Sequence, residues 1–95
     1  MLMKERRLLK NKAERVLQDL LEADGWEVYK RGMPDFACYR GTEFMLIEVK
    51  PNLSHNLKEH QYKLLAKLAK YGVPVFYFAA SEKKFLAVTP PPSPD

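Results

Sequence analysis

Apolar residues recur with a helical period at two places in the chain. Between about Lys4 and Asp24 they stand at i, i+4, i+7, i+8, i+11 and i+12, and Gly25 follows as a stop signal. A second helix is predicted from a cap at Asn56 to about Tyr71. The apolar faces consist of Leu9, Ala13, Val16, Leu17, Leu20 and Leu21 in the first helix, and of Leu57, Leu64, Leu65 and Leu68 in the second.

Between and after these helices the pattern is typical of short strands. Strands are predicted at residues 26–30, 35–40, 43–50 and 73–80, and residues 85–89 form a last strand or an extended piece. The order α-β-β-β-α-β favours an antiparallel meander followed by a strand–helix–strand unit that returns parallel through a right-handed crossover. The chain is therefore predicted to be an α/β domain with a mixed sheet flanked by helices.

Length and composition limit the class of protein. The 95 residues suffice for one small domain, predicted over residues 1–89, with a flexible Pro-rich tail at 90–95. No apolar run approaches the ~18 residues of a membrane span, so no membrane partner is expected. The single cysteine, Cys38, is interpreted as a core residue in a reducing, cytoplasmic or otherwise intracellular protein. A formal charge of +4 permits a phosphate-bearing partner.

The predicted hairpin places two acids opposite each other. If Gly41 and Thr42 form a type II′ turn, Arg40 faces Glu43, and counting outward brings Asp35 opposite Glu48. Directly opposed Cβ atoms lie roughly 4.5–5.5 Å apart, and like charges at that distance are destabilising unless they are neutralised.

Two carboxylates at this spacing can share one divalent cation. Lys50 lies two residues beyond Glu48 and therefore points to the same face of the strand. There it can contact water bound to the ion or an anionic substrate. The register thus predicts a divalent cation site with a lysine beside it.

Each helix offers one more polar group to this end of the sheet. Glu14 lies at the edge of the first helix's apolar arc, and Gln61 lies inside the apolar stripe of the second helix. A buried amide needs hydrogen-bond partners, which charged groups of an active site could provide. The alternatives are that Glu14 is a solvated helix residue and that Gln61 bonds a backbone carbonyl.

This ordered set resembles the PD-(D/E)xK nuclease superfamily, and in particular its VRR-NUC branch. The matching pieces are Gly32-Met33-Pro34-Asp35, then Ile47-Glu48-Val49-Lys50, then Gln61 on the following helix, with Glu14 on the opening helix. The resemblance covers about residues 10–78, although the chain contains no Val-Arg-Arg triplet. It implies a restriction-endonuclease-like αβββαβ core and a stand-alone, Holliday-junction-resolvase-like endonuclease that uses Mg²⁺, for which Mn²⁺ substitutes.

The resemblance also implies a role for each matched residue. Asp35, Glu48 and the Val49 carbonyl would hold the ion, and Glu14 would reach it directly or through water. Lys50 would orient or activate the attacking water, and Gln61 would position Lys50 or that water.

Basic residues near these positions are candidates for DNA contacts. Lys10, Lys30 and Arg31 are the residues expected to contact phosphates, whereas the stripe of Lys63, Lys67 and Lys70 is interpreted as a solvated face. The leading hypothesis is an endonuclease, acting as a homodimer on branched DNA such as four-way junctions. Alternatives are a nuclease subunit that cuts duplex or flap DNA with a partner protein, a catalytically inactive DNA-binding module, and a purely structural partner domain.

Overall fold

A computed structural model describes residues 11–89, which form two helices and one five-stranded sheet. The strands are arranged in the order β1-β2-β3-β4-β5, with β3 and β4 parallel and every other neighbouring pair antiparallel. The predicted α/β class, with a mixed sheet flanked by helices, is confirmed. The elements are α1 (Lys12–Ala23), β1 (Glu27–Lys30), β2 (Phe36–Arg40), β3 (Glu43–Lys50), α2 (Glu59–Lys70), β4 (Val75–Ala79) and β5 (Lys84–Ala87).

The hairpin between β2 and β3 has the predicted register. Arg40 pairs with Glu43, and the pairing continues outward to Phe36 opposite Ile47. Gly41 has a φ of +60°, and the φ of Thr42 is not positive. A type I′ turn needs a positive φ at both central residues, whereas a type II′ turn needs it only at the first, so a type II′ turn joins the strands. A two-residue turn fixes which residues oppose each other along the whole hairpin. Asp35, one residue before β2, consequently lies opposite Glu48.

The two helices cover opposite faces of the sheet. The face under α1 presents Phe36, Cys38 and Ile47, which pack with Leu17 and Leu21 of the helix. The face under α2 presents Ala37, Leu46 and Val75, which pack with Leu65. Because strand side chains alternate, Glu48 and Lys50 lie on the same face as Leu46. The α2 face of β3 therefore changes from apolar to charged toward the end of the strand.

Two leucines assigned to the apolar faces are instead exposed. Leu20 is 39% exposed and Leu64 is 41% exposed, so these two assignments were wrong. In α2 the buried stripe is rotated toward Leu65 and Ala66, because those residues face the sheet. The periodicity predicted the direction of each apolar face to within a rotation of about one residue, and packing against the sheet set the final orientation of each helix.

The second helix also begins later than the cap at Asn56 predicts. It starts at Glu59, with Lys58 as its N-cap residue. The Lys58 backbone N–H donates to Gln61 Oε1 at 3.1 Å, which supplies an acceptor for an amide that the helix leaves unpaired. Gln61 thus fixes the start of α2, and the prediction that Asn56 caps the helix was wrong.

Cys38 is fully buried in the core, as predicted. Burial raises the pKa of its thiol to about 12, so the side chain is neutral and unreactive at physiological pH. Within residues 11–89, no helix is long and apolar enough to cross a bilayer. The predictions for the first turns of the first helix and for the tail at 90–95 lie outside the described residues.

Candidate functional site

Asp35 and Glu48 each accept a hydrogen bond from a backbone amide across the hairpin. The backbone N–H of Asp35 donates to Glu48 Oε1 at 3.1 Å, and the backbone N–H of Val49 donates to Asp35 Oδ2 at 2.9 Å. Each carboxylate therefore satisfies an amide of the opposite strand. This reciprocal pair holds both acids at the open end of the hairpin, so their predicted convergence is confirmed.

Pro34 explains why the hairpin opens at this point. In the continued register Pro34 lies opposite Val49, and a proline has no N–H to donate across the strands. The N–H and C=O of one strand residue point to the same side, so the Val49 carbonyl points to the β2 side of β3, as its N–H does. The ladder ends here, because Pro34 has no N–H to donate to this carbonyl.

Both carboxyl groups have a raised pKa. Burial, and after it the negative charge of Asp35, raises the pKa of Glu48 to about 7. Burial also raises the pKa of Asp35, against the hydrogen bond from Val49, which lowers it. The charge of Glu14 raises the pKa of both groups. Burial and the approach of other carboxylates both disfavour the charged form of a carboxyl group, so these shifts have the expected direction.

Gln61 reaches this pair from α2. Its Nε2 donates to Glu48 Oε2 at 3.4 Å, while its Oε1 accepts the N–H of Lys58. The amide therefore has a fixed orientation, with its donor directed at the carboxylate. Of the two interpretations of Gln61, contact with a charged group of the site is the one that the structure supports.

Lys50 is only 7% exposed and lies on the same face as Glu48. Its ammonium stands over the ring of Tyr77, 4.2 Å from the ring centroid. Tyr77 is the residue of β4 directly beside Glu48 in the parallel register. Among the described residues no ion pair joins Lys50 to Asp35 or Glu48. The ring thus holds the ammonium on the Glu48 face of the sheet, without an ion pair to either acid.

Glu14 approaches the same end of the sheet from the opposite face. It is 8% exposed, and its Oε1 accepts a hydrogen bond from Lys30 Nζ at 2.6 Å. Glu14 is therefore not a solvated helix residue, and it does not share the face of Asp35 and Glu48. It lines a cavity of about 370 Å³ at the end of β3, together with Asn11, Lys12, Ala13, Val49, Lys50 and Pro51.

The three basic residues predicted to contact phosphate have different surroundings. Lys30 is paired with Glu14, although its side chain is 44% exposed. Arg31 is exposed, and its backbone N–H donates to the Asp35 carbonyl, which fixes the chain beside the acids. Lys10 lies outside the described residues.

The donor set fits a hard divalent cation in part. Two carboxylates and the Val49 carbonyl are oxygen ligands of the kind that Mg²⁺ prefers, and Mg²⁺ usually keeps several waters when proteins bind it. Within residues 11–89, however, no group of three or more Asp, Glu, His or Cys side chains is arranged to hold a metal ion. Glu14, the third acid, is turned toward Lys30. The residues therefore fit an ion held by Asp35 and Glu48 that retains much of its water.

The sequence pattern did not indicate Tyr77 as part of this site, and it did not indicate which residue pairs with Lys30. Nothing in the strand pattern of β4 distinguished Tyr77 from the other apolar positions, although the parallel register with β3 places it beside Glu48. Lys30 was predicted as a phosphate contact and not as the partner of Glu14. The pairing of β1 with β2 could have indicated it, because Lys30 lies opposite Phe36, the residue after Asp35.

Comparison of the chain with protein-family models, with curated proteins and with solved structures finds no match. The geometry of these side chains is therefore the basis on which a function is inferred.

The raised pKa of Glu48 predicts that the folded chain loses stability as the pH rises from about 4.5 to about 7. Glu48 keeps its proton up to about pH 7 in the folded chain, whereas its ordinary value is 4.5. The folded state then binds more protons between these values, so the free energy of unfolding falls as pH rises through that window. Glu48→Gln removes the titration. In EDTA we expect it to raise the free energy of unfolding, relative to the unsubstituted chain, by about 1–3 kcal/mol more at pH 8 than at pH 5.

Urea unfolding at the two pH values measures this difference. Glu59→Gln serves as the matched control, because Glu59 is exposed on α2 and the charge change is the same. If Glu48→Gln and Glu59→Gln show the same pH dependence, Glu48 does not carry the destabilising charge.

Proposed function

We propose that this chain is a metal-dependent endonuclease that hydrolyses phosphodiester bonds in DNA, of the VRR-NUC type within the PD-(D/E)xK superfamily. The observation that carries the proposal is the opposition of Asp35 and Glu48 at the open end of the hairpin, with Lys50 buried on the same face. Buried, mutually repelling carboxylates are costly to fold and are a common feature of cation-binding active sites. A purely structural domain leaves them without a role.

Each group of the site has a part in phosphodiester hydrolysis. Asp35, Glu48 and the Val49 carbonyl would hold Mg²⁺, which when bound supplies a Lewis acid and eases the ionisation of water. Lys50 brings a compact cation that can stabilise the charge developing on the phosphate. Gln61 fixes the orientation of Glu48 by donating to Oε2. The protein's contribution is mainly positioning and electrostatic stabilisation.

The proposed substrate is branched DNA such as a four-way junction, and the proposed active form is a homodimer. A symmetric junction requires two cuts, which two copies of this small domain could make. Arg31 is exposed beside Asp35, where it can contact phosphates that flank the cleaved bond. The described strands present no element suited to reading base edges, which favours recognition of DNA shape.

Lys50→Met provides the central test of the activity. Methionine keeps most of the buried stem and removes the ammonium, so folding and metal binding should persist. We expect cleavage of a labelled four-way junction and nicking of supercoiled plasmid in Mg²⁺ or Mn²⁺ to fall by at least about 100-fold. EDTA should abolish cleavage by the unsubstituted chain, and Mn²⁺ binding measured by calorimetry should be unchanged in the variant.

Lys84→Met is the matched control, because Lys84 is an exposed strand lysine. Flap, nicked and linear DNA in the same assay define the preferred substrate, and light scattering determines the number of copies. A chain that binds junction DNA and cuts none of these substrates with either metal would be a DNA-binding module, and the proposed activity would be wrong.

Tyr77 is expected to keep Lys50 from collapsing onto Glu48. A cation over an aromatic face gains roughly 0.5–2 kcal/mol, which is enough to compete with a partly solvated ion pair. Tyr77→Leu removes the ring, so the ammonium should pair with the carboxylate and compete with the metal ion. We expect about tenfold weaker Mn²⁺ binding and about tenfold slower single-turnover cleavage.

Tyr77→Phe keeps the ring face and is the conservative comparison. It should retain Mn²⁺ affinity and cleavage to within about threefold. Equal losses in Tyr77→Phe and Tyr77→Leu would assign the effect to the hydroxyl, and no loss in either variant would show that the ring does not position Lys50.

A further inference from the structure

The pair between Lys30 and Glu14 joins β1 to α1 beside the proposed active site. The two charged atoms are 2.6 Å apart, and the exposures of the two side chains differ strongly, at 44% for Lys30 and 10% for Glu14. A nearly buried carboxylate needs a counter-charge, because water does not reach it well enough to stabilise it. The half-exposed lysine, on a flexible stem, can move to solvent at much lower cost.

The Lys30 ammonium also lies within electrostatic range of Asp35. It stands 5.6 Å from the ring centroid of Phe36, the residue after Asp35. Burial raises the pKa of Asp35, the charge of Glu14 also raises it, and the charge of Lys30 lowers it. Lys30 therefore acts as a monovalent cation near Asp35, one of the two acids that would bind a divalent ion.

Two cations near the same acids repel each other. A divalent ion held by Asp35 and Glu48 would weaken the attraction of Glu14 for Lys30, because the ion would attract Glu14, whose charge already acts on both of those acids. The ammonium would be released next to Arg31, on the exposed side of β1. That position is suited to a phosphate of the bound strand.

We propose that Lys30 and Glu14 form a metal-sensitive latch, which holds the Lys30 ammonium while no divalent cation is bound and releases it to a DNA phosphate when the ion binds. This inference rests on the proposed function, because it needs DNA as the ligand. By thermodynamic reciprocity, a latch that lets metal strengthen DNA binding also lets DNA strengthen metal binding. The competing explanation is a structural ion pair that only ties α1 to β1.

A double-mutant cycle on DNA binding, carried out in EDTA, separates these explanations. Binding of a labelled four-way junction is measured by fluorescence anisotropy for the unsubstituted chain and for E14Q, K30M and E14Q/K30M. E14Q removes the latch and should free Lys30 without metal. Long-range charge effects contribute equally to E14Q whether or not Lys30 is present, so they cancel from the coupling. If the latch exists, E14Q strengthens DNA binding about 3–10-fold more in the chain that keeps Lys30 than in the K30M chain. This difference in affinity is the size expected for about one phosphate contact.

The ion pair between Glu59 and Lys63 is the matched control for this cycle. Those residues are exposed on α2 and their charged atoms are 3.0 Å apart. E59Q, K63M and E59Q/K63M make the same charge changes away from the site and should show no coupling. Thermal unfolding of each variant verifies that it is folded at the temperature of the assay.

A second measurement needs neither DNA nor a change at Glu14. K30M removes only a half-exposed lysine, and it should bind Mn²⁺ about 3–10-fold more tightly than the unsubstituted chain, as followed by electron paramagnetic resonance. Additive effects in the DNA cycle, or an unchanged Mn²⁺ affinity in K30M, would overturn the latch. If the unsubstituted chain binds no DNA in EDTA or in Ca²⁺, the proposed function itself fails.

Discussion

Two carboxyl groups placed opposite each other on neighbouring strands need a positive charge between or beside them, and this need organises the rest of the site. A two-residue turn brings Asp35 and Glu48 together, because the turn at Gly41 sets the register of the whole hairpin. Several nearby groups compensate for their repulsion. Strand amides donate to both acids, Gln61 donates to Glu48, and a raised pKa lets Glu48 keep its proton near neutral pH.

The core provides the rigidity that this arrangement requires. Strand β3 is central in the sheet, with α1 on one face and α2 on the other. Its apolar residues, Leu46 and Ile47, anchor the strand directly before the charged end that carries Glu48 and Lys50. A crowded acid pair destabilises a small domain, and the closely packed core offsets that cost. Strand β3 thus carries apolar residues that stabilise the fold, followed directly by charged residues that destabilise it and that the proposed chemistry requires.

The sequence predicted the hairpin well because its turn chemistry is local. Gly41 fixed the register, and with it the opposition of Asp35 and Glu48. The exceptions are long side chains whose positions depend on distant partners. Lys50 lies on Tyr77 and Glu14 turns to Lys30, because cation–π and ion-pair contacts choose among many rotamers of similar energy. The exposed leucines have a similar origin, since tertiary packing rotated the apolar faces. The late start of α2 instead follows from the local hydrogen bond between Gln61 and the Lys58 backbone.

Anomalous scattering from crystals soaked in Mn²⁺ locates a bound cation relative to the two carboxyl groups. We expect one strong peak at the open end of the hairpin, within about 2.3 Å of oxygens from both Asp35 and Glu48. Crystals of a Glu48→Gln variant should lack it. Well-ordered density for both side chains with no peak between them, or with peaks only at exposed acids elsewhere, would contradict the account.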